Sequence, residues 1–210
     1  MKAIQVGSDG VMSWELVPDP VPGPDDVLIR VAATAINRAD LMQRRGMYPP
    51  PPGASSVLGL ECAGVVVSVG ANVQTHAPGE SVCALLAGGG YAELAVAPAT
   101  SVLPVPQGCN FAESAALPEV FATAWLNLFI EAGLQAGEKV LLHAGASGVG
   151  TAGVQLCSAF GSPVFVTAGD DDKIARCVEL GAAGGANRHG AGLFDAVRAF
   201  GGDSGIDVIL

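Results

Sequence analysis

The spacing of apolar positions changes near residue 110. Before that point short runs rich in branched residues recur at 3–6 (AIQV), 13–17 (SWELV), 26–33 (DVLIRVAA), 62–70 (CAGVVVSVG), 80–86 (ESVCALL) and 91–97 (YAELAVA). Clusters of Pro, Gly, Asn and Asp separate them, the pattern of a twisted barrel or sandwich of strands. One short helical turn is predicted in 37–46 (NRADLMQRRG), where Asp40 and Arg44 stand at ion-pair spacing. The prolines at 49–52 read as a stiff surface loop, with a polyproline ligand as the other reading.

After Pro106 the texture becomes helical. Residues 111–133 predict a helix that Pro118 interrupts, with Glu113 and Ser114 suited to its start and Gly133 to its stop. From 139 onward strand and helix alternate. KVLLHA (139–144), PVFVTAG (163–169), GGANR (184–188) and DVIL (207–210) read as strands, and 147–161, 171–181 and 191–200 as helices. Connections of this length force parallel pairing, so the class is mixed α/β with a domain boundary near 118–122.

Composition narrows the functions. The chain has 210 residues and a formal net charge of −10, which disfavours nucleic acid and anionic membranes as partners. Five widely spaced cysteines (62, 83, 109, 157, 177) make no CxxC pair; they read as small buried hydrophobes with free thiols in a reducing, cytoplasmic setting. No signal or transit segment is expected at the amino terminus. Positions 140–169 hold no Asp, Glu, Lys or Arg, yet six glycines and Pro163 fall there, so a buried strand–helix–strand unit fits better than a membrane span.

The candidate chemistry sits in 143–150 (HAGASGVG). A parallel strand, a tight turn and a helix start together make an anion site, because the first N–H groups of a helix lack partners and the macrodipole favours negative charge. Gly145, Ser147 and Gly150 fall on the three positions of the G-x-G-x-x-G dinucleotide fingerprint, with Ser in place of the middle Gly. The competing reading is a glycine-rich turn that binds nothing. The next strand ends at Ala168–Gly169, which offers no carboxylate to a ribose, while Lys173 offers a cation; both favour NADP. Asp170 favours NAD. His143 reads as a strand-end histidine.

Residues 37–64 (NRADLMQRRGMYPPPPGASSVLGLECAG) and 141–156 (LLHAGASGVGTAGVQL) resemble those of the medium-chain dehydrogenase/reductase family. More narrowly, they resemble its zinc-independent quinone oxidoreductases, especially the tumour-suppressor-inducible NADPH:quinone oxidoreductase branch. The resemblance implies a GroES-like β-rich domain over 1–120, followed by the first part of a doubly wound Rossmann domain over 121–210. Zinc-dependent relatives carry a Cys and a His where this chain has Asn37 and Leu60, so no metal is expected. NADPH is the expected cofactor ahead of NADH, and a small quinone or enone the expected substrate.

By the same resemblance, Tyr48 hydrogen-bonds the acceptor oxygen in the catalytic site, and Asn37 and Thr123 contact the nicotinamide carboxamide or ribose. Ala144, Gly145, Ser147, Gly148, Val149 and Gly150 wrap the pyrophosphate. Gly169, Lys173 and Arg188 lie near the adenosine phosphate, with Asp170 and Arg188 departing from the relatives' residues. Structural duties compete: Asn37 suits the cap of the short helix, Tyr48 suits loop cover, and Thr123 suits helix packing. Relatives are commonly homodimers with two further Rossmann strands, so this chain is expected to expose an edge at 207–210. A catalytically incomplete fragment that binds nucleotide or a partner is the alternative to an enzyme.

Overall fold

The computed structural model describes all of residues 1–210. They divide into two compact units, Met1–Glu119 and Val120–Leu210.

In the first unit β1 (Lys2–Val6) and β2 (Met12–Leu16) form an antiparallel hairpin. A five-stranded antiparallel sheet follows, built from β3 (Asp26–Thr34), β4 (Glu61–Val69), β5 (Ser81–Leu85), β6 (Leu94–Pro98) and β7 (Val102–Pro104) in the order β6-β3-β4-β5-β7. The alternating inward residues Val27 and Ile29 on β3, Cys62 and Val66 on β4, Val82 and Ala84 on β5, and Ala95 and Ala97 on β6 make its core. This is the period-two pattern of a strand with one buried face. Strand β7 carries no sequence signal of its own; it exists because its backbone pairs with β5.

Helix α1 (Arg38–Arg44) leaves the end of β3, and α2 (Phe111–Ser114) packs on β3 and β4. The start of α2 corrects the sequence expectation. Asn110 caps it, its Oδ1 accepting from the Glu113 N–H at 3.0 Å while the Glu113 carboxylate accepts from the Asn110 N–H at 2.8 Å. Glu113 therefore closes a capping box from inside the helix instead of opening it.

The helical stretch resumes at Pro118, where a ring without an N–H costs nothing in a first turn. Helix α3 (Pro118–Trp125) runs into a wider π-helical turn, Leu126–Glu131, and the segment stops at Gly133, whose φ of +65° only glycine takes without strain.

In the second unit β8 (Val140–Leu142), β9 (Val164–Ala168), β10 (Gly184–Asn187) and β11 (Val208–Ile209) form a parallel sheet in the order β10-β9-β8-β11. Helices α4 (Gly148–Ala159), α5 (Asp171–Glu179) and α6 (Leu193–Gly201) connect them. Every residue of β8 and β9 is buried, as both faces of a helix-covered parallel sheet require. Val140, Leu142, Val164 and Val166 pack with Val154 and Cys157 of α4 and with Leu128. Four of the five cysteines are buried and all five are unpaired. No helix is long and apolar enough to cross a membrane.

Candidate functional site

Strand β8 ends at Leu142, and the chain then turns sharply into α4. Ala144 is the one non-glycine residue with positive φ, at 52°. Gly145 donates its N–H to the Thr167 carbonyl at 2.9 Å, which seats the turn against β9. A β-carbon at position 145 would lie 2.5 Å from Val166, and one at position 150 would lie 2.5 Å from the Gly145 carbonyl oxygen. Both glycines are therefore dictated by close packing of strand and helix. Ser147 caps α4: its Oγ accepts from the Gly150 N–H at 3.1 Å. Gly148 and Val149 form the first turn, with backbone N–H groups at the positive end of the helix dipole.

A cavity of about 190 Å³ opens beside this turn, lined by Ala144, Ala146, Ser147, Ala168, Gly169, Lys173 and Arg188. Among the residues expected to bind cofactor, Ala144 and Ser147 line it, while Gly145, Gly148, Val149 and Gly150 belong to the adjoining turn and the first turn of α4. Gly169 closes it from the tip of β9, Lys173 from the first turn of α5 and Arg188 from the tip of β10. Thr123 stands apart in α3, where its carbonyl accepts from the Asn127 side chain at 2.8 Å.

The two cations at this cavity are held differently. Asp170 caps α5, accepting from the Lys173 N–H, and its other oxygen pairs with the Lys173 ammonium at 2.9 Å. These contacts hold the exposed Asp170 carboxyl below the usual carboxylate range. Asp170, the residue that favours NAD by its place after β9, thus caps its own helix and pairs with Lys173 at the surface. Arg188 has no carboxylate partner; its Nε donates to the His189 ring at 3.1 Å and its guanidinium lies over Gly169. His143 meets the Thr167 hydroxyl at 3.0 Å, which is a strand-end contact.

The first unit holds Asn37 and Tyr48. Tyr48 lies in the loop after α1 and is 44% exposed. Asn37 caps α1 inside a group of buried polar residues that sequence reasoning missed. Asp40 is 1% exposed and accepts from the Asn37 N–H (2.7 Å), the Tyr91 hydroxyl (2.9 Å) and the Gly59 N–H (3.2 Å). The expected Asp40–Arg44 pair does not form: Arg44 donates instead to the Gly10 carbonyl, because Asp40 turns inward to satisfy three donors. Glu61, also 1% exposed, accepts from the Asn37 side chain at 2.7 Å and the Glu119 N–H at 2.9 Å. Burial, and to a smaller degree Glu119 and Asp40, push its carboxyl upward against those two donors. The proton of Tyr91 is held more tightly by burial and by Asp40.

The sequence did carry faint signs of this group. Glu61 is a lone charge entering the apolar run CAGVVV, and a charge there needs partners. Asn37 and Asp40 have capping-box spacing. A separate apolar cavity of about 480 Å³, bordered by Ile4, Met12, Trp14, Ile36 and Tyr91 among others, contains none of the expected site residues.

Residues 23–107 match the family described as the alcohol dehydrogenase GroES-like domain. The chain is 40% identical over 197 residues to the pikromycin polyketide synthase component PikAII of Streptomyces venezuelae, covering 93% of this chain and 5% of that protein. Among solved structures, the quinone oxidoreductase of Thermus thermophilus, determined also as its complex with NADPH, superposes with a TM-score of 0.83 at 33% identity, covering 100% of this chain and 65% of that one. The CurK enoyl reductase superposes with a TM-score of 0.88 at 29% identity, covering 99% and 66%. The chain thus spans just under two thirds of these solved enzymes and a small part of the synthase. From the GroES-like match, the parallel dinucleotide-type sheet and these relatives together, the chain belongs to the medium-chain dehydrogenase/reductase superfamily, as a quinone-oxidoreductase-like member.

Proposed function

We propose that this protein is an NADPH-dependent reductase that delivers hydride to a quinone or an activated alkene without a metal. In this reading residues 1–120 form the substrate domain and 121–210 the cofactor domain. The observation that carries it is the convergence of the bare Ala144–Gly150 turn, Lys173 and Arg188 on one cavity.

The residues present suit a dinucleotide. The turn from Ala144 to Gly150 carries small residues except Val149, and the start of α4 offers N–H groups to an anion. Arg188, without a carboxylate partner, suits the additional phosphate of NADPH better than Lys173, whose ammonium already meets Asp170. The donor set does not suit zinc. Leu60 has no donor atom, and Asn37 turns its amide nitrogen into Glu61. Burial pushes the Cys62 thiol up to about 12, so it stays neutral at ordinary pH and is a poor ligand.

When bound, the dihydronicotinamide supplies hydride, and a carbonyl-conjugated acceptor takes it because the new negative charge delocalises onto oxygen. The half-exposed Tyr48 hydroxyl is assigned as donor to that oxygen. Asn37 and Thr123 are assigned to the nicotinamide half.

The test is a fluorescence titration of the full protein with NADPH and NADH, followed by NADPH oxidation with 1,4-benzoquinone and a crotonyl thioester. NADPH is expected to bind more tightly. Arg188→Gln should weaken NADPH roughly tenfold, the size of one charge-assisted hydrogen bond, and leave NADH unchanged. Equal affinity for both cofactors, or indifference to Arg188→Gln, overturns the cofactor assignment. Tight NADPH binding with no turnover of either acceptor overturns the reductase.

A further inference from the structure

Glu61 has no place in the reading above, yet it is buried and both of its oxygens are used. Oε1 accepts from the Asn37 Nδ2 at 2.7 Å, and Oε2 accepts from the backbone N–H of Glu119, the second residue of α3, at 2.9 Å. A backbone N–H can only donate, so the group facing Glu119 must be an acceptor. The same holds at Asn37 while Glu61 is ionised: the carboxylate attracts the amide's NH₂ and repels its oxygen. Asn37 is fixed a second time by its own N–H, held at 2.7 Å by Asp40. The amide oxygen Oδ1 is then the atom turned away from Glu61. An amide oxygen has two lone pairs, so its place at the head of α1 does not exhaust it.

We propose that Glu61 is a positioning residue that fixes Asn37 as a hydrogen-bond acceptor, so that the ligand group met by Asn37 must be an N–H or O–H donor. This rests on the assignment of Asn37 to the nicotinamide half. Two donors of that half qualify, the carboxamide NH₂ and a ribose hydroxyl. A substrate carbonyl oxygen does not, since it would face Oδ1.

The pair can be inverted without changing its shape. In Glu61→Gln the single remaining oxygen stays with the Glu119 N–H, and the new NH₂ faces the NH₂ of Asn37. Asn37 must turn its amide over, or lose the bond. Either way Oδ1 is no longer held in place, although the site keeps its volume. The double variant Asn37→Asp/Glu61→Gln exchanges amide for carboxylate. Residue 61 then donates, residue 37 accepts, and the second carboxylate oxygen at 37 takes the place of Oδ1. The number of charges is unchanged.

The experiment titrates the wild-type chain and both variants with NADPH and with its 3-acetylpyridine analogue, in which a methyl ketone replaces the carboxamide. Glu61→Gln is expected to weaken NADPH roughly tenfold, as loss of one well-placed hydrogen bond in a desolvated site does, and the exchange variant is expected to recover it. A purely structural Glu61 predicts otherwise, because the flipped pair in Glu61→Gln still makes one hydrogen bond. If the carboxamide is the donor, the Glu61→Gln penalty vanishes with the analogue; if a ribose hydroxyl is the donor, the penalty is the same for both. Glu61→Gln that binds NADPH like wild type overturns the proposal. So does an exchange variant that melts at the wild-type temperature yet binds weakly, and this second result decides the matter even if Glu61→Gln alone folds poorly. Wild-type protein that binds no NADPH overturns the cofactor reading and this inference together; binding that ignores the substitutions overturns this inference alone.

Discussion

The Ala144–Gly150 turn works by leaving side chains out, whereas the group around Asp40 and Glu61 works by putting charge in. The donors of the turn are backbone N–H groups, and Gly145 and Gly150 are required where strand and helix nearly touch. In the other group two carboxylates, each 1% exposed, collect five donors from the head of α1, the loop before β4, Tyr91 and the start of α3. Backbone donors come with the fold at no desolvation cost beyond that of the helix end. Buried carboxylates cost several kcal/mol each unless every partner is present, so they tie distant segments into one arrangement. The first centre cannot take an added side chain at Gly145 or Gly150, and the second cannot lose a carboxylate without stranding donors.

Perturbing each centre in its own weak sense tests that contrast. The largest effect is expected from Asp40→Ala, which strands the Asn37 N–H, the Gly59 N–H and the Tyr91 hydroxyl. Denaturant unfolding should show a loss of about 4 kcal/mol, since each stranded donor costs roughly 1–3 kcal/mol. A loss no larger than that of an ordinary surface substitution would mean that this group does not hold the first unit together.

Gly150→Ala adds one methyl where the nearest neighbour is backbone. About 2 kcal/mol of destabilisation is expected from overpacking, together with loss of dinucleotide binding as the turn opens. Unchanged NADPH affinity in the folded variant would contradict a pyrophosphate seated on this turn.

The smallest effect is a slope. The folded protein holds the Glu61 proton more tightly than the unfolded chain does, because of burial and the nearby Glu119 and Asp40 carboxylates. Glu61 therefore contributes a loss of stability as pH rises from the ordinary glutamate range through its raised folded value. Melting temperatures of wild type and Glu61→Gln across weakly acidic pH should show that slope only in the wild type. The same slope in both would assign it to other groups.

The same contrast explains what could be read in advance. The strand–turn–helix around Ser147 was legible because its cause is local: branched residues before, glycines at the turn, a capping Ser, an apolar helix after. The strands of the first unit were legible through their period of two. Asp40 was misread because helical spacing offered Arg44, four residues away, while its actual partners Gly59 and Tyr91 lie 19 and 51 positions away. The surroundings of Arg188 were equally hidden: its guanidinium lies over Gly169, which reaches it through the parallel pairing of β9 and β10.

The sequence alone determined the elements and their class, because hydrophobic period, capping and turn chemistry act over a few residues. It also determined the shape of the Gly145–Gly150 turn, since what matters there is which residues are small enough for strand and helix to approach. Only the tertiary structure decided which charge meets which donor. It buried Asp40 and Glu61, paired Lys173 with Asp170, and left Arg188 without a carboxylate. Those outcomes depend on long-range packing, where the cost of an unpaired buried charge selects one arrangement among many that local spacing permits.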